Sequence, residues 1–199
     1  MSLAARLREA LEAGQRRTPV LIAGDPLDEE AQAIGVTAAA VLVAVVDRAR
    51  PSVILTLRPE TMRKHPGQIS FPGGRLDPGD AGPVDAALRE AEEEIGLPRH
   101  RVEVIGTVDR YRTITGFAVT PVIGIVEPEI ELRPHPGEVA AVFEAPLDYL
   151  LDPAHHRVRS VEWRGCERSY FEIDFEGRRI WGATAAMIVN LSRRLALAA

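Results

Sequence analysis

The chain has 199 residues, 46% of them hydrophobic, and a formal net charge of −5 at pH 7. That length suits a single domain over 1–199 with ample core. The acidic balance argues against a nucleic-acid partner, which usually needs a basic patch.

The chain opens on an amphipathic helix over 2–13, in which Ser2 caps the start, Leu3, Leu7, Ala10 and Leu11 share a face, and Gly14 ends it. Charges among the first residues come too early for a signal peptide, and no run of about 18 uncharged apolar residues marks a membrane span. A cytoplasmic protein with no membrane partner is therefore expected. Residues 15–35 read as loop, with Pro19, Gly24 and Pro26. Two apolar, β-branched runs over 38–46 and 53–57 look like a strand pair with one buried member. Strands are also predicted over 102–111 and 117–126, joined near Thr115-Gly116, and over 139–143, 160–163, 169–175 and 178–181, with a turn at Glu176-Gly177. A last helix is predicted over 183–197, with Ile188, Leu191 and Leu195 as its apolar stripe. This order is a mixed α/β (α+β) sheet with helices packed on it, rather than regular β-α-β alternation. The lone cysteine, Cys166, reads as a buried or incidental thiol.

Most of the chemistry lies between these elements. Gly67-Gln68-Ile69-Ser70-Phe71-Pro72-Gly73-Gly74 is a glycine turn. It leads to a helix over 83–95, with Gly82 as cap, Pro83 at the first helical position, Asp85 at the positive end of the dipole, and Gly96 as stop. At about 100° per residue, Val84, Leu88, Ala91 and Ile95 share the apolar face. Glu90, Glu93 and Glu94 point away from it as neighbours, while Glu92 sits at the edge as a solvated or structural charge. Their mutual repulsion is relieved by water, by a basic partner or by a metal. Carboxylate oxygens are the ligands Mg²⁺ and Mn²⁺ prefer. Arg89, four residues before Glu93, is placed to orient it, and Gly73-Gly74 lets backbone approach a metal or phosphate closely.

Arg89-Glu90-Ala91-Glu92-Glu93-Glu94-Ile95-Gly96-Leu97 resembles the second half of the Nudix box, G-x5-E-x7-R-E-U-x-E-E-x-G-U, where U is a bulky aliphatic residue. The first half departs: Asp80 stands at the glutamate position, one residue further from Arg89 than the pattern has it. This reads as a loop insertion that leaves the metal face intact and the role of Asp80 open. Upstream, Ile54-Leu55-Thr56-Leu57-Arg58-Pro59, Arg63, Gly67 and Phe71-Pro72-Gly73-Gly74 resemble the signature of the coenzyme A pyrophosphatase branch, L-L-T-x-R-(S/A)-x3-R-x3-G-x3-F-P-G-G. Ile180-Trp181-Gly182-Ala183-Thr184-Ala185 is similar to that branch as well. The resemblance covers about 35–195 and implies a Nudix-type α/β/α sandwich with the acidic helix against the sheet.

It implies hydrolysis of a diphosphate linkage with Mg²⁺ or Mn²⁺, held by Glu90, Glu93 and Glu94, with the Gly74 carbonyl as a further donor. Arg89 orients the cluster through Glu93. Glu93 or Glu138 is the candidate general base, and Glu144 a weaker one. Arg58 and Arg63 are candidates for phosphate recognition, because arginine grips phosphate oxygens bidentately; either could instead be a strand-end ion pair. His65 reads as a surface residue, His155-His156 carries no role, and Trp181 reads as core rather than a base-stacking platform. The substrate implied is coenzyme A or an acyl derivative. The alternatives are another nucleoside diphosphate derivative (NADH, ADP-ribose or an oxidised nucleotide) or a non-catalytic coenzyme A-binding module. The family also admits a homodimer.

Overall fold

The structure, a computed structural model, describes residues 1–19, 21, 22, 24, 35–62, 65–163 and 165–195. Most of the loop predicted over 15–35, the candidate Arg63, the Cys166 side chain and the end of the last predicted helix lie outside that set. The described elements in chain order are α1 (Leu3–Gln15), β1 (Thr37–Val46), β2 (Ser52–Leu57), β3 (Ile69–Ser70), β4 (Gly73–Arg75), α2 (Pro83–Ile95), β5 (Val102–Thr107), β6 (Tyr111–Arg112), β7 (Phe117–Val126), β8 (Ala141–Pro146), α3 (Leu147–Leu151), β9 (Arg157–Trp163), β10 (Cys166–Phe175), β11 (Arg178–Trp181) and α4 (Ala183–Leu195).

Alternation along the strands makes the layers. In β1, Ala39, Val43 and Val45 belong to a core shared with α1 and α4, whereas Ala40, Leu42, Ala44 and Val46 face α2 through Ala86, Ala87, Ala91 and Ile95. A period of two in a strand sends successive side chains to opposite faces, so one strand feeds both cores. The result is an α/β/α sandwich, as the resemblance implies. β1 lies in the middle of the sheet, parallel to β7 from Thr37↔Phe117 to Val46↔Val126 and antiparallel to β2. The main path runs β3-β2-β1-β7-β5, with β4 on β1, β6 on β7 and β8 on β2; β9, β10 and β11 form a separate sheet.

Several predicted bounds are corrected. Helix α1 runs two residues past Ala13, to Gln15, because Gly14 is buried against the Arg194 backbone and does not end the helix. β1 and β2 are both almost wholly buried, so the pair does not have just one buried member. The strand predicted over 102–111 breaks after Thr107, where Asp109 turns to a bidentate pair with Arg194 of α4. The strand predicted over 139–143 begins at Ala141, since the Val139 N–H donates to the His135 carbonyl in a turn. Trp181 is half-buried, with the Arg179 guanidinium 4.9 Å from its ring centroid and the Tyr170 ring edge-on at 5.7 Å. Among the described residues no helix is long and apolar enough to cross a membrane.

Candidate active site

The glycine turn docks on the half of one edge of β1 that β2 leaves unpaired. β2 pairs with the end of β1 at Val45 and Val46, leaving Ala39 to Val41 for Arg75, Gly74 and Gly73 of β4. The Leu42 N–H donates to the Pro72 carbonyl at 2.8 Å, pinning the entry to the turn. A Cβ on Gly73 would strike the backbone of Ala40 and Val41, and one on Gly74 would strike the Glu90 carboxyl. Both positions therefore exclude a side chain for a stated reason: the first lets the strand pair, the second lets a carboxylate lie against the main chain.

Helix α2 crosses this turn. Pro83 starts it, and Gly96, at φ 66°, ends it in the left-handed region. The Arg133 and His135 N–H groups donate to the Ile95 and Glu94 carbonyls, each at 2.8 Å, so the loop carrying Glu138 is fastened to the end of the acidic helix. Glu138 itself is exposed.

The three glutamates are not equivalent. Glu94 is 4% exposed and belongs to the buried side of α2, which corrects its predicted place on the polar face. Its Oε2 accepts the Gly73 N–H at 3.1 Å. Burial pushes its carboxyl up to about 7, the Gly73 hydrogen bond opposes this, the Glu90 charge adds to it, Arg58 opposes it and Glu138 adds to it. Glu90 is half-buried and also raised, chiefly by burial, against a hydrogen bond from Arg89. Glu93 stands outward, its side chain 59% exposed.

Arg89 holds this arrangement. Its Nε and Nη2 grip Asp80 at 3.0 Å each, Nη2 also reaches the Arg75 carbonyl at 3.0 Å, and Nη1 reaches Glu90 at 3.0 Å and Glu93 at 3.1 Å. Its planar fork can tie the loop and the helix together, which a point charge could not. Asp80, whose role the sequence left open, is the partner. Its side chain is 4% exposed, and hydrogen bonds from Arg89 and the Asp77 N–H hold its carboxyl below the usual range. The longer spacing hides this in the sequence, because the extra residue falls between Asp80 and Arg89, where the chain passes through Ala81-Gly82 into the helix and still leaves the carboxylate on Arg89. Glu92 is exposed and 3.5 Å from Arg99, as an edge charge.

Arg58 follows β2, its N–H donating to the Gln68 carbonyl at 2.9 Å. Its Nε is buried with no hydrogen-bond partner among the described residues, and its charge is felt at Glu94. Glu144, on β8, accepts from Arg48 and Ser52, and the Arg48 hydrogen bond holds its carboxyl below the usual range. His155 and His156 bond to the Tyr149 and Leu150 carbonyls, and His65 is exposed.

Among the described residues no three His, Cys, Asp or Glu side chains converge on one point. Glu90 and Glu94 nevertheless flank the Gly73-Gly74 backbone, and Glu94 has no ion-pair partner among the described residues. An oxygen-only donor set with one carboxylate buried and lacking a cation fits a hard divalent ion.

A NUDIX domain model matches residues 36–167. An "Uncharacterized Nudix hydrolase NudL" of Enterobacter sp. is 41% identical over 159 residues, 80% of this chain and 83% of that protein. Its namesake in Citrobacter koseri is 43% identical over 157 residues, 79% of this chain and 82% of that one. A solved MutT/nudix family protein from Enterococcus faecalis shares the fold at TM-score 0.51 and 16% identity, over 96% of this chain and 68% of that chain.

Proposed function

The chain belongs to the Nudix family and is a Nudix hydrolase, and from that premise we propose that it cleaves the diphosphate of coenzyme A or an acyl derivative. The products are 3′,5′-ADP and 4′-phosphopantetheine or its acyl form. The observation that carries this reading is Arg58: a cation of the upstream signature, with a buried Nε that has no hydrogen-bond partner among the described residues, stands within electrostatic reach of Glu94. A guanidinium there is suited to a phosphate oxygen on the substrate side of the acidic helix. Arg63, the second arginine of the signature, is proposed for the same anion.

Hydrolases of this family use a divalent metal ion; Glu90 and Glu94 are the proposed ligands, with Glu93 joining them. Bound there, such an ion neutralises phosphate charge and acidifies water. The chain's own part is positioning. Arg89 fixes Glu90 and Glu93, Gly73-Gly74 lets the diphosphate approach the main chain, and Arg58 orients it. Water adds to one phosphorus, the bridging P–O bond breaks, and the proton leaves toward a carboxylate. Glu138 is the proposed acceptor, since its charge acts on both Glu90 and Glu94 and it carries no ion pair among the described residues. Glu93 is instead tied to Arg89, which it shares with Glu90 and Asp80.

The test is product analysis by mass spectrometry after incubation with coenzyme A, NADH or ADP-ribose and Mg²⁺ or Mn²⁺. Preferential release of 3′,5′-ADP and 4′-phosphopantetheine supports the reading. Turnover of NADH or ADP-ribose alone would keep the hydrolase and discard the substrate.

A further inference from the structure

The segment Ile180-Trp181-Gly182-Ala183-Thr184-Ala185 is left unexplained by the carboxylates and by Arg58. It joins the small sheet to α4. Gly182, at φ 63°, donates its N–H to the Phe171 carbonyl at 3.0 Å, and its own carbonyl accepts the Ala186 N–H at 2.9 Å. Only a residue at ease in the left-handed region makes this turn without strain. The turn sets Thr184 into the first turn of α4, where it is buried and its Oγ1 donates to the Ile69 carbonyl at 3.0 Å.

Ile69 belongs to β3, a two-residue strand at the end of the sheet path. On its inner side β3 has Leu57↔Ile69 and Thr56↔Ser70, with the Arg58 N–H on the Gln68 carbonyl at 2.9 Å. On its outer side Thr184 takes the Ile69 carbonyl. A strand this short has too few rungs to fix itself, and a buried carbonyl costs free energy if left unpaired. Arg58 is coupled to one end of β3, and Phe71-Pro72-Gly73-Gly74 leaves from the other. β1 holds the turn through β4 and the Leu42–Pro72 hydrogen bond, and β3 joins the entry of that turn to Arg58, so a shift of β3 changes the spacing between arginine and glycine turn.

We propose that Thr184 is a positioning residue: its hydroxyl clamps β3 from α4 and so keeps Arg58 and the Gly73-Gly74 turn at the spacing that grips a diphosphate. This rests on the functional reading of Arg58 and the turn given above.

The test uses the full chain with Thr184→Val, which keeps shape and loses the donor, and Thr184→Ser, which keeps the donor. Turnover is read on whichever of coenzyme A, NADH or ADP-ribose the unsubstituted protein hydrolyses, at a temperature well below melting. Hydrogen exchange of a peptide covering residues 67–74 is read without substrate. The valine variant is expected to lose about ten-fold or more in kcat/KM and to exchange faster over 67–74, and the serine variant to restore both. Unchanged exchange and turnover in the valine variant would overturn the proposal. So would equal damage from valine and serine, or an activity loss that disappears on cooling. Should the valine variant fail to fold, Thr184→Ala, which leaves room for water on the Ile69 carbonyl, carries the same comparison. Exchange is independent of turnover. If the unsubstituted protein hydrolysed none of the three compounds, the functional reading would fall, while exchange would still decide whether Thr184 holds the loop.

Discussion

Arg89 and Asp80 meet as two planar groups, Nε to Oδ1 and Nη2 to Oδ2, both at 3.0 Å. This pair comes from different elements: the arginine from the acidic helix, the aspartate from the loop before it. Because Nη1 of the same guanidinium reaches Glu90 and Glu93, the loop and both carboxylates share one support.

That sharing sets the first prediction. Arg89→Lys keeps the charge and loses the fork, so Glu90 and Glu93 drift from the turn. A fall in kcat/KM of about 10²-fold is expected, since a misplacement near 1 Å costs about that much. Asp80→Asn keeps the shape and weakens the grip, and a smaller fall, about ten-fold, is expected. Steady-state kinetics of the two variants checks the order. An asparagine variant worse than the lysine variant would place Asp80 at the reaction itself.

The second prediction concerns Gly74. An alanine Cβ there meets the end of a flexible side chain, the Glu90 carboxyl, whereas at Gly73 it meets the backbone of Ala40 and Val41. Gly74→Ala is therefore expected to fold with nearly unchanged melting temperature, yet to bind Mn²⁺ more weakly and lose about 10²-fold in kcat/KM. Gly73→Ala is expected to lower the melting temperature as well, because strand pairing must shift. Thermal melting beside Mn²⁺ titration separates the two.

Much of this was legible in the chain. The long runs of β1 and β7 and the turn at Glu176-Gly177 stand where local pattern places them, because continuous β-branched burial and glycine turns are local signals. The parallel register of β1 with β7 has no local signal; it comes from burying both faces at once. Glu94 was misplaced for a related reason. A helical wheel scores a glutamate as polar, whereas this one is drawn under the sheet by the Gly73 N–H. Asp80 was hidden by a loop one residue longer than the family pattern, and Asp109 broke a predicted strand through a partner in α4, far along the chain.

The third prediction follows from the burial of Glu94, whose carboxyl sits at about 7 against an ordinary 4.5. A raised carboxyl means that the folded protein holds a proton the unfolded chain has released. Without metal, the Glu94 contribution to stability is then fully present below pH 4.5 and is lost as pH rises through about 7, by on the order of 3 kcal/mol in all. Glu94→Gln is expected to remove that decline and to be the more stable protein at pH 8 in EDTA. Urea unfolding at pH 5 and pH 8 measures it. Metal binding runs the opposite way, because Mn²⁺ competes with the proton: affinity is expected to rise through pH 7 in the unsubstituted protein and to be lost in Glu94→Gln.

The last prediction separates the two candidate bases. Glu93 is tied to Arg89 at 3.1 Å, while Glu138 sits on a loop fastened to α2 by the His135 N–H on the Glu94 carbonyl at 2.8 Å. A carboxylate that accepts the proton of water acts on turnover and not on metal affinity. Glu138→Gln is therefore expected to lower kcat by about 10²-fold or more with Mn²⁺ affinity unchanged. Glu93→Gln is expected to weaken Mn²⁺ binding, with part of its kcat loss recovered at saturating metal. Turnover measured across a Mn²⁺ titration in both variants reads the difference directly. If Glu93→Gln loses kcat at every metal concentration while Glu138→Gln stays near normal, the proton goes to Glu93, and the ion pair with Arg89 serves to aim a base rather than to hold a ligand.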